Sequence, residues 1–259
     1  MQPQRHSIES RIQERFGRAA AAYAVSPVHR GGPDLDAMLA AAALTGRERV
    51  LDLGCGPGHA AAAFAPHAAE VVALDLTEAM LETGRALAAE RGLANLRFER
   101  GDAARLPLPD ASFERVTSRH SAHHYSDPRA VMREVARVLR PGGSFLLVDA
   151  VAPENPAQDS FLNAFEILRD PSHVRDHTVA QWCEMLRAVS LEPSTLGSFT
   201  IQLDFAAWVE RIGTSPAAVT GLRALFDEAP DEVRGAFGIV GHGAYDFRLE
   251  LALIRGARA

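Results

Sequence analysis

Five short apolar runs, at 49–53, 71–76, 96–100, 112–118 and 144–151, alternate with helical patterns through the middle of the chain. This alternation restricts the fold more than any other feature, because strands joined through helices lie parallel and need helices on both faces. Right-handed crossovers then leave few topologies. The helical patterns carry their own boundaries. One opens with Thr77 as N-cap and Glu78 in its first turn, and stops at Gly92. Another opens with Asp127 as N-cap and Pro128 at its first position, and stops at Pro141-Gly142-Gly143.

The ends of the chain differ from its middle. Ile8, Ile12, Phe16, Ala19, Ala20 and Tyr23 recur at three- and four-residue steps and predict an amphipathic helix over 8–23, with a second over 34–44. Beyond residue 155, 156–189 reads as helix, 195–203 and 247–255 as strands, and 204–240 as helix broken by Gly and Pro. The two late strands suggest an antiparallel pair at the sheet edge, with the insertion between them lying over the site.

Composition removes several function classes. Hydrophobic residues make up 47% and charged residues 23%, as in a globular protein with a sizeable core. All 27 residues of the Lys/Arg class are arginine, which excludes a Schiff-base lysine and a phosphate-loop lysine. A net charge of −6 gives no global field toward nucleic acid or anionic membrane. Cys55 and Cys183 form no zinc or disulfide pattern, and neither a signal-peptide core nor a membrane-length apolar run is present. These features lead us to expect a cytoplasmic protein with no membrane partner.

The first strand runs into VLDLGCGPGH, residues 50–59. Glycines at that place let the backbone turn tightly and let a ligand approach the main chain, with a helix N-terminus pointing at it. Three nucleotide classes compete. The phosphate loop fails for want of lysine. The dinucleotide fingerprint needs a third glycine at 59, where His59 stands, and Asp52 beside the loop would repel a pyrophosphate. A carboxylate there suits a ligand with positive charge or hydroxyl donors, and S-adenosylmethionine has both. Asp75, closing the second strand, is placed to accept from ribose hydroxyls, and Asp102, after the third, to read an adenine amino group. Strand-end and turn aspartates are common, so it is the joint placement that argues for a site.

VLDLGCGPGH, VVALDLTEAM, FERGDAARLPLPDASFERVTSRHSAHHYSDP and VARVLRPGGSFLLVDA together resemble the successive motifs of class I S-adenosylmethionine-dependent methyltransferases, nearest the quinone-biosynthesis C-methyltransferase-like small-molecule subgroup. The resemblance is strong over 45–150, moderate over 8–44, and weakens after 155. It implies an α/β fold: a doubly wound, mostly parallel seven-stranded, Rossmann-like sheet with an antiparallel edge strand and a helical cap. Residues 1–259 would form one domain. Cap helices would occupy 1–44, the cofactor-binding core 45–155, substrate-side helices with a late strand and a lid insertion 156–246, and a C-terminal edge strand 247–255. The implied cofactor is S-adenosyl-L-methionine. Gly54, Gly56 and Gly58 would let its methionine end approach, with Asp52 orienting that end. Asp75 would hold the ribose, Leu76 and Met80 would flank the adenine, and Asp102 and Ala103 would hold its edge. Tyr23 would cap the cofactor. Met80 reads equally well as a core residue of its helix, and Cys55 as a small loop residue.

Ligands of open α/β sheets lie at the carboxyl ends of the strands. Arg119, His120, His123 and His124 follow the fourth strand there, and His173, Arg175 and His177 form a second cluster. A histidine could deprotonate the acceptor, with His120 and His173 the first choices, while Arg119, His123, His124 and Arg175 would bind substrate. These residues read also as strand caps and packing. No base is required, because aligning nucleophile, methyl and leaving sulfur supplies much of the rate. A metal at His120, His123 and His124 lacks the carboxylate and cysteine companions of known sites, so none is expected. The expected function is methyl transfer to an O, N or C atom of a small molecule, by a monomer or homodimer. The alternatives are a protein that keeps the cofactor fold without methylating, such as a cyclase or binding subunit, and a nucleic-acid methyltransferase, whose Asn/Asp-Pro-Pro-aromatic motif and basic domain are missing.

Overall fold

The computed structural model describes residues 7–259. The five central runs become parallel strands: β1 (Arg49–Leu53), β2 (Glu70–Asp75), β3 (Leu96–Arg100), β4 (Phe113–Arg119) and β5 (Leu139–Ala150). With β6 (Leu191–Asp204) and β7 (Asp246–Arg258) they form one seven-stranded sheet in the order β3-β2-β1-β4-β5-β7-β6. Chain order reverses between β1 and β4, so their carboxyl ends, at Leu53 and Arg119, flank the crevice where such sheets take ligands.

The strands are apolar on both faces because both faces are covered. Leu51 and Leu53 of β1 and Phe145 and Leu147 of β5 point to one side. There they meet Val131, Met132, Val135 and Val138 of α6 (Pro128–Val138) and Trp182, Met185 and Leu186 of α8 (Val179–Arg187). The alternate residues Val50, Leu146 and Val148 meet Leu35, Met38 and Ala42 of α3 (Pro33–Ala42) and Phe64 of α4 (His59–Phe64) on the other. The two-residue period of a strand makes that division.

The amphipathic pattern at the start is α1 (Ile8–Val25), followed by the short α2 (Pro27–Arg30). In α6, Asp127 caps as its sequence suggests, accepting from the Ala130 N–H at 2.9 Å. Thr77 does sit at the N-cap of α5 (Glu78–Glu90), but its side chain makes no capping bond. Its N–H is instead drawn to Asp75, so the turn before α5 is organised by the strand-end carboxylate.

Two late features depart from the reading of the sequence. β6 and β7 do pair antiparallel at the edge, but the C-terminal strand β7 lies one place in, hydrogen-bonded to β5 on one side and β6 on the other. Its run FRLELALIRG is buried from both faces for much of its length, as an inner strand requires, while β6 between Leu191 and Leu203 is only half-buried or exposed. The insertion, α9 (Phe205–Arg211), α10 (Pro216–Asp227) and α11 (Asp231–Phe237), packs with α7 (Pro156–Arg169) into a third core built on Phe161, Phe165, Trp208, Phe226 and Phe247. Most aromatic residues of this region are thus core. α7, through Glu166 and Arg169, and α9, through Trp208 and Arg211, border the second of the cavities described below. Among the described residues, no helix is long and apolar enough to cross a membrane.

Candidate functional site

Two adjoining cavities open at the carboxyl ends of the strands. The larger is an open cleft of about 1070 Å3 between the glycine loop, the ends of β2 to β4 and α1. Of the residues expected to hold a cofactor, Asp52, Gly54, Gly56, Asp75, Leu76, Met80, Asp102, Ala103 and Tyr23 all line it. They come from four separate stretches that β1, β2, β3 and α1 carry to one place.

Asp75 organises the loop. Its Oδ2 accepts from the Gly56 N–H and its Oδ1 from the Thr77 N–H, both at 2.8 Å. Burial raises its pKa, and these two bonds oppose the rise. Asp52 is more deeply buried. Its Oδ1 accepts from Thr117 Oγ1 at 2.9 Å, but its Oδ2 has no partner, and burial pushes its pKa up to about 7. An orphaned carboxylate oxygen on the wall of a cleft is completed by a ligand that brings a positive charge or an N–H donor. Asp102 accepts from the Ala104 N–H at 2.8 Å and thereby fixes the turn after β3.

The three loop glycines have different tasks. Gly56, at φ +53°, has open space where a side chain would project, which leaves its backbone bare to the cleft. A Cβ at Gly54 would lie 2.5 Å from Ser121 Oγ. Gly58, in contrast to our expectation, does not line the cleft. It caps α4 at φ +80°, and a Cβ there would lie 2.8 Å from the Phe98 ring, so it serves the turn and the packing.

The second cavity, about 630 Å3, shares Phe16, Tyr23, His29, His120 and His124 with the cleft. Those five side chains form the boundary. His120 adopts φ +53°, and its Nε2 lies 3.4 Å from Asp34 Oδ2 without forming a hydrogen bond. Burial keeps its pKa low, so it is neutral. His124 Nδ1 lies 3.0 Å from the Ser172 carbonyl, which can only accept, so that nitrogen carries the proton and Nε2 the lone pair. Burial and the neighbouring His123 charge lower its pKa to about 4.

His123 is different again. Its Nδ1 lies 2.7 Å from Asp149 Oδ1, and its own N–H reaches Asp149 Oδ2 at 3.1 Å. Burial opposes the imidazolium, but the Asp149 carboxylate outweighs it and raises the His123 pKa to about 9. The pair therefore stabilises the fold fully below the unfolded value of 6.5, and the contribution fades as pH rises through 9. The stability gap between the native protein and His123→Gln should accordingly shrink by up to about 3 kcal/mol from pH 6 to pH 9.5. Denaturant titrations at several pH values measure it, and a pH-independent gap would mean that His123 is neutral.

Three expected residues have other duties. His173 lines neither cavity. It is 2% exposed, with Nε2 3.3 Å from Asn163 Oδ1, stacked on His123 at 5.6 Å between ring centres, and burial keeps it uncharged. It supports the histidines that face the cavity. Arg119 borders the cleft, but its guanidinium is committed: Nε donates to Asp34 Oδ2 at 2.6 Å, Nη1 to the His29 carbonyl, and Nη2 to those of Val28 and Gly31. It fastens the α2–α3 segment, with its donors taken up within the protein. Arg175 lies away from both cavities, paired with Asp159 beside a shallow groove with Arg129 and His177.

Sequence reasoning passed over Asp149, Glu166 and Arg211, which line the second cavity. Asp149 had a signal, since it ends its strand as Asp52 and Asp75 end theirs. Arg211 had none, being one arginine of a helical stretch. A cation-sized grouping also exists at His123, Asp149 and Asp176, whose ligand atoms lie within 4.8 Å of one another. It replaces the three-histidine set considered from the sequence.

With this geometry in view, likeness to known proteins has a physical meaning. Residues 51–147 match the family described as Methyltransferase domain. The chain is 39% identical over 246 residues to the uncharacterised methyltransferase YcgJ of Bacillus subtilis, covering 94% of this chain and 97% of that one. The YcgJ crystal structure superposes with a TM-score of 0.85, over 87% of this chain and 97% of that one. A putative methyltransferase of Bacillus halodurans gives a TM-score of 0.84 at 38% identity, covering 88% and 99%. Demethylmenaquinone methyltransferase of Clavibacter sepedonicus is 40% identical over 109 residues, 42% of this chain and 44% of that one.

Proposed function

Given that the chain belongs to the class I S-adenosylmethionine-dependent methyltransferases, we propose that its open cleft holds S-adenosylmethionine and that a small-molecule acceptor occupies the second cavity. The observation that carries this reading is the pair of strand-end carboxylates in one cleft: Asp75 tied to the glycine loop, and Asp52 with an unanswered buried oxygen. The two fit the two ends of this cofactor. Asp75 retains lone pairs for ribose hydroxyls, and Asp52 meets the positively charged methionine end. Leu76 and Met80 offer apolar faces to the adenine, and Asp102 and Ala103 its edge. Tyr23 closes the cleft from α1.

Bound there, S-adenosylmethionine supplies a methyl group on a cationic sulfur that a nucleophile can displace directly. The protein's own contribution is alignment and exclusion of water at the boundary between the cavities. Phe16, Tyr23, His29, His120 and His124 form that boundary. Holding two reactants in line is worth roughly 7–11 kcal/mol in favourable cases. Where the acceptor carries a proton that must leave, His124 Nε2 is a boundary atom able to take it and its imidazole carries no charge beforehand, whereas His120 Nε2 is buried against Asp34. The acceptor atom is O, N or C.

The test uses methyl-labelled S-adenosylmethionine and a deproteinised small-molecule extract of the source cells. Label should pass to a product of low molecular mass while the demethylated cofactor accumulates. Label entering only RNA or DNA, or a bound cofactor that never loses its methyl group to any fraction, would reject the reading.

A further inference from the structure

The second cavity contains a positive charge with no ion-pair partner among the described residues. Arg211 is the last residue of α9, is half-buried and lines this cavity. It makes no ion pair or hydrogen bond with any described residue, and the six residues outside the description, MQPQRH, include no acid. The Arg211 side chain binds none of the last carbonyls of α9, and it borders the cavity instead.

The other charged groups of the cavity have neighbours of their own. Arg169 Nη1 lies 3.3 Å from Glu166 Oε2, its Nε donates to the Trp208 carbonyl at 3.1 Å, and its guanidinium stacks over the Trp208 ring. His123 is neutralised by Asp149. Asp176 is 2% exposed and sits beside His123 and Asp149, with ligand atoms within 4.8 Å of theirs. Arg211 is left without an ion-pair partner in a cavity also lined by the aliphatic side chains of Ile201, Leu203, Leu249 and Leu251. A half-buried cation facing a cavity is a costly arrangement without a counter-ion, and a ligand can provide one.

We propose that Arg211 anchors an anionic group of the methyl acceptor, so that the substrate class is a small molecule with a carboxylate or phosphate at one end and an apolar body at the other. This rests on the methyl-transfer reading above. The guanidinium fork recognises either oxyanion. The aliphatic wall and Trp208 hold the body, and the five boundary residues lie between this cavity and the cofactor cleft. Arg211 is thus a specificity determinant supplied by the insertion, more than fifty residues beyond the sheet motifs that build the cofactor side.

The test is calorimetric, with the protein first saturated with S-adenosylhomocysteine. Octanoate and 4-hydroxybenzoate are titrated beside their neutral amides, and octyl phosphate beside octanol. We expect at least one anion to bind about tenfold or more tightly than its neutral counterpart. That preference should vanish in Arg211→Met and partly survive in Arg211→Lys, with S-adenosylhomocysteine affinity unchanged in both. A carboxylate preference and a phosphate preference separate the two oxyanions. Neutral counterparts that bind as well as every anion to the native protein would overturn the proposal, without recourse to any variant. So would an anion preference that persists in Arg211→Met. Failure of the native protein to bind S-adenosylhomocysteine is a different result, which removes the methyl-transfer reading itself.

Discussion

Asp75→Ala should weaken S-adenosylmethionine binding by a hundredfold or more while leaving the protein folded. The substitution removes two things at once. It deletes the acceptor proposed for the ribose hydroxyls, where hydrogen bonds to a charged group are worth about 1.5–3 kcal/mol each. It also frees the Gly56 and Thr77 N–H groups, both held at 2.8 Å by the same carboxylate, so the glycine loop loses its tether to β2. Asp75→Asn should fall between, since an amide oxygen can keep one of these bonds but its NH2 cannot accept from a hydroxyl. Calorimetry on both variants measures the loss. An Ala variant that binds as well as the native protein would remove Asp75 from the site.

Arg119→Leu should cost about 3–5 kcal/mol of folding stability, because it strands a buried carboxylate. The side chains of Arg119 and Asp34 are 4% and 8% exposed, with Nε and Oδ2 2.6 Å apart. Burial works against ionised Asp34, and the neighbouring His120 and the hydrogen-bonded Arg119 hold its pKa well below the usual carboxylate range. The carbonyls of Val28, His29 and Gly31 would lose their donor as well. Replacing both partners, Arg119→Leu with Asp34→Leu, should recover much of the loss, as buried pairs commonly do. Urea denaturation gives the values. Unchanged stability with depressed turnover would return Arg119 to a substrate role.

These two predictions mark the difference between what the sequence shows and what it hides. The sheet was legible because its strands are short, contiguous and bounded by their own turn residues. The cofactor side was legible for the same reason: Asp52, Asp75 and Asp102 each follow or end a strand, and parallel strands bring their carboxyl ends to one edge. The residues facing the acceptor obey no such rule. His173 and His120 look alike in sequence, yet one is enclosed by Asn163 and His123 and the other borders both cavities. Gly54, Gly56 and Gly58 also look alike, and only the positions of Ser121 and Phe98 distinguish them. Arg211 reaches the site through the packing of α9 on the late strands, a contact that no local pattern encodes. The inner position of β7 was likewise hidden, because strand order depends on which edge receives the last crossover.

Placement of the boundary histidines suggests how specificity and chemistry divide in this protein. The strand ends would recognise the cofactor, whose chemistry is fixed, while α1, α7 and α9 shape the cavity for an acceptor. Helices of that kind can vary without disturbing the sheet.

The account stands or falls on the cleft, and the direct measurement is calorimetric titration of the native protein with S-adenosylmethionine and then with S-adenosylhomocysteine. The account predicts that both bind at one site per chain with micromolar or tighter affinity. A folded sample that binds neither would contradict it.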